Sequence, residues 1–119
     1  MPSPLSRATA AALQDSLDNI ELARGFVAGL RLDQFQADRR TSYAVVRCLE
    51  IISEASRKLP NELKARHLTI PWKEMAGAGS VYRHHYVAVR DELVWKTVQV
   101  DLEPLRVVAE LELERLREE

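Results

Sequence analysis

Apolar residues recurring at three- and four-residue steps along nearly the whole chain are the feature that most restricts its fold. That period belongs to helices with one buried face, and the organisation reads as helical throughout. From about Pro4 to Leu30 the step is kept by Leu13, Leu17, Ile20, Val27 and Leu30, with Arg24 interrupting and Ala8 to Ala12 adding strong helix formers. Gly25 and Gly29 weaken the last turns, and RLDQFQADRR (31–40) reads as a connection with one helical turn around Phe35. Asp38 or Thr41 is placed to cap a second long helix from about Arg39 to Leu59, which stops at Pro60 and buries Val46, Leu49, Ile52, Ala55 and Leu59. NELKARH (61–67) reads as a short helix capped by Asn61, followed by the loop LTIP. Pro71 then opens a helix over WKEMAGAGSVYRHHY (72–86), anchored by Trp72, Met75, Ala76, Tyr82 and Tyr86.

Gly77 and Gly79 inside that helix each cost about 1 kcal/mol relative to Ala. Such a cost implies close approach of another helix or space kept for a ligand. The last helical region begins near Asp91 as N-cap, turns Val94, Val98, Leu105, Val108 and Leu111 to one side, and is kinked or divided at Pro104. Short connections between amphipathic neighbours make the chain an all-α, single-domain up-and-down bundle of four to five helices spanning residues 1–119.

Composition narrows the function classes. At 46% hydrophobic and 29% charged, 119 residues fit one ordinary soluble domain. No apolar run approaches the ~18 to 20 residues of a membrane span, and the N-terminus lacks a signal peptide's apolar segment, so the expected location is the cytoplasm with no membrane partner. The single Cys48 excludes an internal disulfide and a cysteine zinc site and is expected to be a small core residue. Net charge is only −1, yet residues 57–90 carry seven Lys/Arg against two Asp/Glu, a net +5 that also contains all three histidines. A localised basic surface of this kind suits an anion or a nucleic acid.

The strongest constellation for chemistry is Ser80, Arg83, His84, His85 and Tyr86. On a helix, Lys73, Gly77, Ser80 and His84 share a face, combining an imidazole, a hydroxyl, a glycine gap and a cation. A histidine titrating near neutrality takes a proton from an RNA 2′-hydroxyl and returns one to a leaving group, while Arg or Lys stabilises charge at phosphorus. That chemistry needs neither metal nor cofactor. Adjacent His84 and His85 diverge by about 100°, and no His-x-x-x-His or carboxylate–His pair accompanies them, so no metal site is expected. Phosphate-binding Gly-Lys-Ser/Thr loops, nucleophile elbows and dinucleotide fingerprints are absent from the sequence. On the second helix Arg47, Glu50 and Glu54 place one cation and two carboxylates along one face, either as solvated intrahelical pairs or as part of a site.

IPWKEMAGAGSVYRHHYVAVRDELVW (70–95) resembles the signature of the HepT-like proteins of the HEPN superfamily, which read Ile-Pro-Trp-Arg-x-Ile-Ala-Gly, then His-x-Tyr, then Val-Trp. DRRTSYAVVRCLEIISEASRKLP (38–60) resembles their second core helix and VQVDLEPLR (98–106) their closing helix, in family order and spacing over nearly the whole chain. The resemblance implies a HEPN-like bundle that pairs into a homodimer around a shared cleft. It implies a toxin of a toxin–antitoxin pair, acting as a metal-independent endoribonuclease on RNA. Its implied partner is a minimal nucleotidyltransferase antitoxin that transfers AMP to the tyrosine of the motif. His84 matches the family histidine and Tyr86 the modified tyrosine. Gly79 stands where the family has its arginine, and Ser80 where it has asparagine; Arg83 matches a variant in which arginine directly precedes the histidine. The helix of Arg47, Glu50 and Glu54 borders the cleft in the resembling proteins, where these residues are expected to orient Arg83 or His84. Two other classes stay open: a catalytically degenerate dimer that binds a nucleotide or a partner, and a purely structural helical adaptor.

Overall fold

The computed structural model describes the backbone of residues 4–119 and the side chains of residues 5–119 other than Val81, Arg83 and His84. Helices α1 (Pro4–Val27) and α3 (Arg39–Arg57) are antiparallel and form the centre. Ala12 and Leu13 meet Ala55 and Leu59 at one end, while Ile20, Ala23 and Val27 meet Val45, Cys48, Leu49 and Ile52 at the other. The chain turns between them through the six-residue α2 (Leu32–Ala37), whose buried Phe35 packs against Trp95 with ring centroids 5.5 Å apart. Gly29, with φ +78°, takes the left-handed conformation that ends α1 at Val27 rather than at Leu30. Asp38 caps α3: its carboxylate accepts from the Thr41 amide at 3.2 Å and from the Thr41 hydroxyl at 2.7 Å. These hydrogen bonds hold the Asp38 carboxyl below its usual pKa range.

Beyond α3 the short α4 (Asn61–Ala65) is entered through Pro60, whose carbonyl accepts from the Lys64 amide. Asn61 is therefore the first residue inside the helix and not its cap. Helix α5 (Trp72–His84) runs antiparallel to α3, and α6 (Val87–Lys96) leads through a wide π turn at 97–101 into α7 (Leu102–Arg117). Helix α7 lies along α1, with Leu102 and Leu105 in one core cluster and Ala109 and Leu113 in the other. The described residues contain helices and no strand, in the up-and-down order the sequence implies. Four long rods carry the bundle, and α2, α4 and the interruptions add further segments to the four to five helices expected.

Three further expectations need correction. The helix over 72–86 stops at His84 because His85 (φ −98°, ψ 150°) and Tyr86 (φ −56°, ψ 149°) are extended, and Tyr86 is 88% exposed instead of anchoring the core. Asp91 is not an N-cap: α6 starts at Val87, and Asp91 lies inside it, buried, accepting from the Ser42 hydroxyl at 2.7 Å. Leu111 faces solvent, and Glu112 takes the buried position beside it. Pro104 does divide the last region, but the break lies upstream, where the Leu102 amide bonds to the Thr97 carbonyl five residues back. In a regular helix the Pro104 ring would press on the carbonyl of residue 100, and the wide turn relieves that contact.

Candidate functional site

The α3–α5 contact sets the frame of the site. Ser53 Oγ donates to the Ala76 carbonyl at 3.0 Å and Arg57 Nη1 donates to the same oxygen at 2.6 Å. A turn further along, Gly79 faces Glu50: a Cβ at residue 79 would meet Glu50 Cγ at 3.8 Å and Ser53 Oγ at 3.9 Å, ordinary van der Waals distances. Gly77 has nothing within 4 Å of where its Cβ would be. Of the two reasons expected for these glycines, close approach of another helix is therefore not met at Gly77, where open space remains, and at Gly79 there is room for a β-carbon.

Lys73, Gly77 and Ser80 are all exposed, so α5 is open to solvent at these three positions. The backbone of residues 83 and 84 forms the end of α5. The roles expected for the side chains of His84 and Arg83 lie outside the described residues. Tyr86 follows at the break between α5 and α6, its ring in solvent.

Of the residues expected on α3, Glu50 is brought against α5 and Arg47 stands beside it, its Nη1 3.9 Å from Glu50 Oε1. Glu54 instead pairs with Lys58 at 3.7 Å, both exposed. Three arginines of the basic segment 57–90 are engaged at separate places. Arg57 is committed to the α5 backbone, Arg66 to Glu112, and Arg90 sits among Ser42, Asp91 and Tyr43.

A second polar cluster had no counterpart in the sequence reading. Glu112 is 2% exposed, yet it accepts from Arg66 Nη2 at 2.6 Å and Arg66 Nε at 3.2 Å, and pairs with His67 Nε2 at 2.6 Å. Burial alone would raise its pKa, but the hydrogen bonds from Arg66 and His67 outweigh it and leave the Glu112 carboxyl below the usual range. Arg66 is held correspondingly higher by the same bond. The signal was a carboxylate in step with Leu105, Val108 and Ala109 on the buried stripe of α7. From this cluster the loop runs to Trp72, whose Nε1 donates to the His67 carbonyl at 3.0 Å and the Lys64 carbonyl at 3.1 Å, fixing the start of α5.

Between α5 and the π turn lies an apolar cavity of about 490 Å³ bounded by Ile52, Met75, Ala78, Tyr82 and Thr97. Tyr82 is buried there, and burial pushes its phenol pKa up against a hydrogen bond with Thr97. None of the described candidate residues lines this cavity. Cys48 is buried in the core, where its thiol pKa is raised. Among the described residues no three His, Cys, Asp or Glu side chains converge as a metal site requires, and no helix is long and apolar enough to cross a membrane.

Comparison with known proteins places this geometry in context. A family model described as "Ribonuclease HepT-like" matches residues 16–111, a span that includes α3, the α3–α5 contact and the α5–α6 break. "Probable ribonuclease HepT" of Thermococcus cleftensis is 40% identical over 94 residues, covering 79% of this chain and 86% of the relative. "Putative RNase MJ0127" of Methanocaldococcus jannaschii is 35% identical over 86 residues, covering 72% of this chain and 71% of the relative. No solved structure gives a significant match.

Proposed function

This chain belongs to the HepT-like ribonuclease family of the HEPN superfamily, and we propose that it is a metal-independent endoribonuclease, the toxin of a toxin–antitoxin pair. The observation that carries this reading is the family match across residues 16–111, which spans the Arg83–Tyr86 motif and the helix that packs against it. In the proposed mechanism His84 acts as general base on a 2′-hydroxyl and then as general acid to the leaving 5′-oxygen. Attack of that hydroxyl on the adjacent phosphorus forms a 2′,3′-cyclic phosphate as the bond to the 5′-oxygen breaks. Arg83 is the cation for the charge that builds on the phosphoryl oxygens. Ser80 supplies a hydroxyl on the same face of α5, and Arg47 and Glu50 orient the cleft from α3. Glu54, tied to Lys58, has the weakest claim on such a role.

The proposed partner is a minimal nucleotidyltransferase that adenylylates Tyr86. Exposure of the Tyr86 ring supports this step, because the hydroxyl must reach the α-phosphate of ATP held by another protein. The added phosphodiester places a negative charge and a base beside the cleft, competing with RNA for its cations. A homodimer completes the proposal, with the ends of two α5 helices facing one cleft.

Labelled RNA incubated with the purified protein in EDTA tests the assignment. Cleavage leaving 2′,3′-cyclic phosphate ends, lost in His84→Ala, is the expected result. No cleavage by folded dimer, or equal cleavage by the variant, rejects it. The degenerate binding module then takes its place, favoured by Gly79 at the position of the family arginine, and Gly79→Arg would restore no activity.

A further inference from the structure

Tyr43 lies on α3 one turn before Arg47 and keeps 60% of its surface exposed. One side of its ring is already occupied: Arg90 Cζ sits 5.4 Å from the ring centroid. Arg90 is itself fixed from α6. Its side chain is 13% exposed, and its Nη2 stands 3.5 Å from Asp91 Oδ1 and donates to Ser42 Oγ at 3.4 Å. Ser42 in turn holds Asp91 through a 2.7 Å bond. The buried Arg90 Nε has no hydrogen-bond partner among the described residues, so the guanidinium is placed here at a cost that hydrogen bonding does not fully offset. The result is an aromatic ring backed by an immobilised cation, with its other face turned to water.

Register supplies the rest of the surface. Arg40, Tyr43 and Arg47 follow one another at three- and four-residue steps, share one face of α3 and are all exposed. Glu50, next on that line, is the residue against which Gly79 of α5 packs. From Tyr43 to Glu50 is about 10 Å along the helix. An open ring between two guanidinium groups is the arrangement that single-stranded nucleic acid takes: a base stacks on the ring and the flanking phosphates meet the arginines. The clamp from Arg90 holds the ring before a ligand arrives, which lowers the entropy lost on binding.

We infer that Arg40, Tyr43 and Arg47, with Arg90 behind the ring, form a stacking subsite for an unpaired base of single-stranded RNA next to the cleavage point. The inference rests on the RNA-cleaving function proposed above and adds where the strand is gripped outside the reacting phosphate. It also accounts for an arginine buried beside an exposed tyrosine.

Binding of a fluorescent 2′-O-methyl RNA strand, which lacks the attacking hydroxyl, separates grip from cleavage. Titration of the full-length protein by anisotropy is expected to show Tyr43→Ala weakening affinity about tenfold and Tyr43→Phe staying within about twofold. Arg40→Ala and Arg47→Ala are each expected to lower the slope of log affinity against log salt by about 0.7. A strand carrying an abasic nucleotide at the stacked position should no longer distinguish wild type from Tyr43→Ala. Wild-type binding with Tyr43→Ala unaffected overturns the subsite and leaves the RNA reading intact. Absence of RNA binding by the wild type overturns both. Loss of binding together with a changed sedimentation of Tyr43→Ala assigns the ring to contact between copies and rejects the subsite.

Discussion

Replacing Glu112 by alanine should cost far more stability than removing any of the exposed charges of this bundle. The carboxylate is 2% exposed; both its oxygens accept from Arg66, and Oε2 also pairs with His67, whose side chain is 14% exposed. Breaking a buried ion pair by deleting one partner costs about 3 to 5 kcal/mol. Arg66 keeps a third of its side chain in water and can resolvate, so the cost falls below most of that range, to about 2 to 3 kcal/mol. For a chain of this length that is a fall in Tm of about 10 °C. Glu112→Gln keeps the shape and one acceptor and should recover roughly half of the loss. Thermal melts followed by far-ultraviolet circular dichroism measure both. Because Trp72 is bonded to the His67 carbonyl, its fluorescence should shift to the red in Glu112→Ala. A Tm within 2 °C of wild type would refute the reasoning: the cluster would then be a surface ion pair in its energetics, whatever its burial.

Other expectations follow from the same contacts. The Glu112 carboxyl sits below its usual value in the folded chain, so the folded state binds fewer protons; its stabilisation is present above about pH 4.5 and is lost as pH falls through the folded value. Glu103, held at about 2 by Arg106 and Arg24, acts in the same direction at lower pH, and melts between pH 7 and pH 3 should show a shallower decline for Glu112→Ala than for wild type. Ser42→Ala removes the 2.7 Å donor to the buried Asp91 and should lower stability by about 2 kcal/mol, read from the urea midpoint at unchanged slope. Gly77→Ala meets nothing within 4 Å and should raise stability by about 0.5 to 1 kcal/mol, whereas a lower Tm would show that this turn of α5 needs the glycine.

The sequence carried the long helices because their apolar steps and caps are local. Asp38 two residues ahead of Arg40, Pro60 after Leu59 and Gly29 past Val27 each mark a boundary by their own chemistry, and the structure uses all three. What it concealed depends on partners far along the chain. Asp91 has the composition of an N-cap and becomes a buried acceptor only because Ser42, 49 residues earlier, stands opposite. His85 and Tyr86 break the helix without a proline or glycine to announce it. Glu112 was readable as a charge on an apolar stripe, but its partners Arg66 and His67 belong to a loop whose position no periodicity fixes. The candidate site shows the same division: Glu50 against α5 follows from the helix pairing, while the commitment of Arg57 to a main-chain oxygen of α5 does not.

The wide turn before Pro104 constrains the order in which this chain can change over evolutionary time. Its i to i−5 bond, from Leu102 to Thr97, holds one residue more than a regular turn. Deleting one residue of 97–101 while Pro104 remains would restore regular spacing and drive the pyrrolidine ring into the preceding carbonyl, at about 3 kcal/mol or more. Substituting Pro104 first removes that clash and leaves the turn free to shorten afterwards. Descendants that lose the wide turn should therefore already have lost the proline, whereas lineages that keep the proline should keep the extra residue.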